Sequence, residues 1–185
     1  IDSIGEARKV LVEEAGGTLV TIAKDVKIQV SFDSGVVGSF KLIGYENRML
    51  AHKDFTDDTK DAGEIGAGHT VTAIYDVVLA PGVTLKKGLH LADFAIRYKE
   101  PEGSASRALD FKIEDGGGDF ASASVDFRFA TSVASFGLLL RGSKMIGDIG
   151  YADVEKIASD SIGEDKAGYR KEFVSLVQKA SKLEK

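Results

Sequence analysis

The chain changes its hydrophobic period once, at Asp115-Gly116-Gly117-Gly118-Asp119, and no other feature constrains its fold as much. Before the glycines, Val26, Ile28, Val30 and Phe32 alternate with Lys27, Gln29 and Ser31, the two-residue period of a half-buried strand. After them, Val125, Phe129, Val133, Phe136 and Leu140 recur at helical spacing in a segment that stops at Gly142. Strands first and helices afterwards predict an α+β chain, not an alternating α/β sheet.

Further strands are expected at Ser39 to Tyr45, Thr70 to Leu79, Leu91 to Lys99 and Arg107 to Ile113, with Pro81-Gly82 and Glu100-Pro101-Glu102-Gly103 as punctuation. The last two read as a hairpin. With no helical crossover between them, residues 25–115 predict a small antiparallel β-sandwich. The helical part, residues 116–185, adds a shorter helix marked by Tyr151, Val154, Ile157 and Ala158, ending near Gly163, and a third marked by Tyr169, Phe173, Leu176, Val177 and Ala180. This part is expected to pack on or beside the sandwich. At the other end, Ser3 and Glu6 form a capping box ahead of Ile4, Ala7, Val10 and Leu11, and Gly16-Gly17 closes that short helix. Thr18 to Val26 fits a helix by spacing and a strand by its Thr and Val content. An opening at Ile1 in mid-element suggests a piece of a longer protein.

Composition narrows the function. Of 185 residues, 43% are hydrophobic and 29% charged, so a core is affordable. Twenty-four Lys and Arg face 29 Asp and Glu, a net charge of -5, which argues against a general binder of nucleic acid or anionic membrane. The acidity belongs to the strands: residues 1–115 hold 14 basic and 19 acidic side chains, and residues 116–185 hold 10 of each. Zero Cys excludes disulfides, thiol catalysis and Cys-zinc sites, and three separated His (His52, His69, His90) do not suggest a His-rich metal centre. No apolar run is long enough to span a bilayer.

The densest polar cluster is His52, Asp54, Asp57, Asp58, Asp61, Glu64 and His69, in a long loop between strands. Such carboxylates could hold Ca²⁺, but they lack the ligand spacing and turn glycine of an EF-hand. A solvated loop whose Asp residues cap turns is the better expectation. Gly63-Glu64-Ile65-Gly66-Ala67-Gly68-His69 has the composition of a phosphate loop, yet it leads into a strand, where phosphate loops open a helix. Its glycines are expected at positive φ in a tight strand entry. His69 is expected to be half-buried and structural, since no nucleophile pairs with it and no Gly-x-Ser-x-Gly elbow occurs. Phe127, Phe129 and Phe136 read as helix-packing aromatics. No catalytic, cofactor-binding or metal-ligating residue is assigned.

Three segments carry a family resemblance: Ala15-Gly16-Gly17-Thr18-Leu19 running on to Val30; Leu42-Ile43-Gly44-Tyr45-Glu46-Asn47-Arg48; and Asp61-Ala62-Gly63-Glu64-Ile65 running on to Ala73. Asp126-Phe127-Arg128-Phe129-Ala130 and Phe136 to Ser143 add to it. Together they resemble the domain of unknown function that follows a von Willebrand factor A domain in bacterial YfbK-type proteins. The resemblance implies an upstream A domain with a metal-ion-dependent adhesion site, and it makes residues 1–24 the tail of that domain. No adhesion-site residue carries over, since Asp2-Ser3-Ile4-Gly5 and Asp33-Ser34-Gly35 both depart from Asp-x-Ser-x-Ser. It further implies a cell-envelope or periplasmic location. The resulting expectation is a non-enzymatic scaffold or protein-interaction module with no cofactor, whose partners are the upstream A domain and an unidentified protein. The alternatives are a calcium- or glycan-binding sandwich and a hydrolase using the acidic loop 52–69.

The loop's spacing generates a prediction. Bringing Asp54, Asp57, Asp58, Asp61 and Glu64 together would crowd like charges, so calorimetric titration with Ca²⁺, Mg²⁺ and Mn²⁺ should find no dissociation constant tighter than about 10⁻⁴ M. Tighter binding, abolished by Asp57→Ala with Asp58→Ala, would instead select the calcium-binding sandwich.

Overall fold

A computed structural model of the chain describes residues 20–44, 54–60 and 62–183. The chain divides into two compact units, residues 1–116 and 117–185. Strands fill the first and helices the second, an α+β fold. The short helix expected near Ser3 lies outside the described residues, as do His52 and Asp61. Of the supposed tail 1–24, residues 21–24 run into the first strand.

In the first unit, β1 (Thr21–Phe32), β3 (Gly63–Gly66), β5 (His90–Lys99) and β6 (Ser106–Glu114) form one antiparallel sheet in the order β3-β1-β5-β6. A second sheet pairs β2 (Val37–Ile43) with β4 (Ile74–Leu79). Register sorts the larger sheet into two faces. Ile28 opposes Ile96, which opposes Leu109; Val30, Phe94 and Phe111 form the next rung, and Phe32, Ala92 and Ile113 the third. All nine are apolar. On the other face stand Lys27, Arg97 and Ala108, then Gln29, Ala95 and Asp110, then Ser31, Asp93 and Lys112. A two-residue period cannot do otherwise, because neighbouring side chains leave opposite faces.

The second sheet covers one end of the apolar face. Phe40 and Tyr75 stack on Phe32 with ring centroids 4.4 and 5.3 Å away, and this burial raises the pKa of the Tyr75 hydroxyl. The β1 to β5 register slips between Lys24 and Lys27, which oppose Lys99 and Arg97. Three residues of β1 thus span two of β5, a bulge, and Asp25 within it has φ +52°. Asp tolerates this left-handed conformation better than most residues because its short carboxylate finds local donors.

The second unit holds α1 (Val125–Leu140), α2 (Tyr151–Ser159) and α3 (Tyr169–Ser181). Ser124 caps α1, its hydroxyl accepting from the Phe127 N–H at 3.1 Å. The core is Phe136, Tyr151, Val154 and Val177, with Leu139, Phe173 and Ala180 packed around it. Phe136 meets Tyr151 and Phe173 edge-on at 6.1 and 5.5 Å. Arg170 lies 4.7 Å over the Phe129 ring and donates to the Ser161 and Ile162 carbonyls. Gly163 has φ +57°, and a Cβ there would come within 2.9 Å of Val125 Cγ1, so glycine admits the start of α1 against the α2–α3 connection.

The buried stripe of α1 differs from the one expected. Val133 and Leu140 face water, whereas Ser132, Ser135 and Leu138 are buried. Phe129, Ser132, Phe136 and Leu139 make the inward line, and each outward residue sits about 100° further round the helix. Small serines belong on that line because they let neighbouring helices approach, and the Ser132 hydroxyl is satisfied by the Phe129 carbonyl at 2.6 Å.

Phe136, only 6% exposed, should therefore cost ~3–5 kcal/mol when truncated to Ala, against less than ~1 kcal/mol for Val133→Ala. Denaturant melts of the two variants check the order. Equal losses would place the stripe wrongly.

Candidate functional site

The acidic loop lies on one end of the polar face of the larger sheet, over Lys27, Arg97, Lys99 and Ser106. Lys27 is 3% exposed, and its ammonium donates to the Asp57 carbonyl. An ammonium held this far from water needs such a partner. Arg97 reaches Asp58 through its Nε at 3.3 Å and its Nη2 at 3.1 Å, and the Ser106 hydroxyl donates to the same carboxylate. Lys99 donates to Asp25 at 2.5 Å and to the Asp58 carbonyl at 3.3 Å. The other Asp25 oxygen accepts from the Ala62 N–H at 3.2 Å. Asp57 turns inward on its own loop, accepting from the Thr59 N–H and hydroxyl at 2.9 and 2.6 Å.

These partners fix the electrostatics. The Asp25 carboxyl is held below its ordinary value of 3.8 by Lys99 and then by the Ala62 N–H. Asp57 is lowered by Thr59, and Asp58 by Ser106 and Arg97. The carboxylates thus face cations and hydrogen-bond donors rather than one another. Among the described residues no three His, Asp or Glu side chains are grouped so as to hold a metal ion.

The other candidates scatter. Glu64 lies on β3, which sequence reading missed, and is exposed. His69 is exposed rather than half-buried, and its backbone N–H donates to the Gly66 carbonyl at 3.1 Å. Gly68, with φ +80°, is the one glycine of that motif in the left-handed region. Phe127 is exposed and meets Phe120 edge-on at 6.3 Å, whereas Phe129 and Phe136 pack on Phe173. The residues that organise the loop, namely Asp25, Lys27, Arg97, Lys99 and Ser106, were not singled out by sequence. Their signal was strand parity: Lys27 and Arg97 occupy the polar side of strands whose other side is apolar.

The apolar face is closed only at its Phe32 end. Ile28 is 46% exposed, Leu109 44%, Phe111 51% and Ile113 38%. Phe94 and Phe111 lie 6.0 Å apart in the middle of this surface. Together these side chains leave an apolar patch on an otherwise acidic unit.

The family model described as the C-terminal region of the uncharacterised protein YfbK matches residues 17–183. The chain belongs to that family. It is 36% identical, over 195 aligned residues, to the uncharacterised protein YfbK of Escherichia coli strain K12. The match takes in 97% of this chain and 33% of that relative, so the chain spans about a third of the relative's length. No solved structure matches.

The loop's ion pairs carry a pH prediction. Carboxylates whose folded values lie below 3.8 contribute stability that is complete above that value and is lost as the pH falls through the lowered ones. Amide exchange of residues 54–60 should therefore be flat from about pH 7 to 5, after correction for intrinsic rates, and accelerate below about pH 4. Arg97→Ala should loosen the loop already at neutral pH. Unchanged protection in that variant would show that the ion pair does not hold it.

Proposed function

We propose that this chain is a non-enzymatic protein-interaction module that works beside the rest of its own polypeptide. One observation carries the reading: the apolar face of β1, β5 and β6 stays open at Ile28, Leu109 and Phe111, while the loop's contacts lie on Lys27, Arg97, Lys99 and Ser106 of the charged face. Burying such a face gains ~25 cal/mol for each Å² removed from water. The occupant is the part of the polypeptide outside this chain, which in the Escherichia coli relative amounts to two thirds of the protein. The resemblance makes that part a von Willebrand factor A domain, whose metal site would capture an external partner while this module braces it. A location in the cell envelope belongs to the same proposal.

Acid–base catalysis calls for titratable groups that are poised and free to exchange protons. Here Asp25 and Asp58 are committed to Lys99 and Arg97, which favours a structural role for the loop.

The test is to express the remaining part of the full-length protein separately and titrate it against this chain. Binding is expected, and Ile28→Asp should weaken it at least about tenfold by placing a charge on the buried face. No binding at ~100 µM would sink the reading.

A further inference from the structure

Among the described residues β6 lies at an edge of the larger sheet and pairs with β5 alone. It runs nine residues, from Ser106 to Glu114, without Pro or Gly, and its register with β5 is regular from Ala92/Ile113 to Lys99/Ser106. The devices that usually blunt an edge are extreme shortness, a bulge, a proline or charged side chains. The opposite edge, β3, is four residues long and bounded by glycines. β6 has neither that shortness nor a proline; its one register shift with β5 lies at the Glu114 end, and the device left to it is charge, at Arg107, Asp110, Lys112 and Glu114.

We propose that two copies of this chain pair antiparallel through β6, with Phe111 on the two-fold axis. In that register Phe111 opposes Phe111 of the second copy, Leu109 opposes Ile113, and Asp110 opposes Lys112, each of the last two pairs occurring twice. Aromatic, aliphatic and opposite-charge pairs are the ones that stabilise neighbouring strands. Asp110 and Lys112 stand on the polar face, and neither enters an ion pair or side-chain hydrogen bond among the described residues. Charges on an edge usually repel a second strand, but opposite signs two residues apart with an aromatic between them attract an inverted copy.

Registers displaced by one or two residues fail on the same residues. An axis at Asp110 or Lys112 sets like charges face to face, and a slip of one residue puts Asp110 opposite Phe111 and turns apolar side chains to the polar face. The Phe111 axis also extends each apolar rung. Val30, Phe94 and Phe111 continue into Phe111, Phe94 and Val30 of the second copy, and Ile28, Ile96 and Leu109 continue into Ile113, Ala92 and Phe32. The pairing uses the strand edge, so it stands apart from docking on the face around Ile28.

Sedimentation equilibrium of the whole chain should show a dimer. Asp110→Lys, which places Lys opposite Lys, should weaken it by on the order of ten- to a hundredfold, and adding Lys112→Asp should restore it to within about threefold. The chain contains no cysteine, so Phe111→Cys supplies a single thiol facing its own copy at about 4.5–5.5 Å between Cα atoms and should oxidise to a disulfide dimer. Leu109→Cys, about four residues out of register with its copy, should not. A chain that is monomeric at ~100 µM, a dimer indifferent to Asp110→Lys, no rescue by the double exchange, or equal cross-linking from both cysteines would each overturn the proposal. Ile28→Asp should leave the dimer intact, so loss of face docking and loss of edge pairing are read separately.

Discussion

Lys27 sets the terms for the first unit. Its ammonium is almost out of water in the polar face of a sheet, and a charge so placed must be hydrogen-bonded or the strand would not seat there. The Asp57 carbonyl meets that need and thereby pins residues 54–60 across β1 and β5. Arg97 and Lys99 repeat the arrangement along β5, taking Asp58 and Asp25. The bulge between Lys24 and Lys27 belongs to the same device. By taking up the extra residue of β1, it puts Lys27 opposite Arg97 and Lys24 opposite Lys99, and its left-handed Asp25 turns a carboxylate toward Lys99.

Much of this was legible in the sequence, and the misses share a cause. The β5–β6 hairpin and the three C-terminal helices follow strong periodicity and appear within a few residues of their expected bounds. β3 was missed because four residues containing two glycines carry no alternation; they are a strand only because β1 pairs with them. Thr18 to Val26 fitted two periods, and tertiary pairing made residues 21–26 strand. The acidic loop's spacing predicts carboxylates that crowd like charges if they are brought together. The loop's cations come chiefly from strands 30 to 41 residues distant in sequence, and sequence proximity cannot report that. Val133 and Leu140 looked inward because helical spacing fixes a stripe's width better than its centre, and the buried serines had no hydrophobic signal.

Two faces of one sheet, then, meet opposite demands with one alternation. The parity that brings Lys27 and Arg97 to one side brings Ile28, Ile96 and Leu109 to the other, so an ionic loop can bind the first without consuming apolar surface. The unit keeps little dry interior. Among its described residues only Val37 and Ala92 are buried apolar side chains, whereas the helical unit encloses Phe136, Tyr151, Val154 and Val177.

This asymmetry says where the molecule's unmet burial lies. Helices satisfy their backbone hydrogen bonds internally and need only an apolar line for their neighbours, which Phe129, Phe136 and Phe173 supply. A sheet has two faces and two edges to settle, and its stability rises with how many are covered. In this chain the loop settles one end of the polar face, the Phe40–Tyr75 pair settles an end of the apolar one, and the shortness of β3 settles one edge. What is left, the face around Ile28 and Phe111 and the edge of β6, is a connected surface whose apolar side chains gain by leaving water.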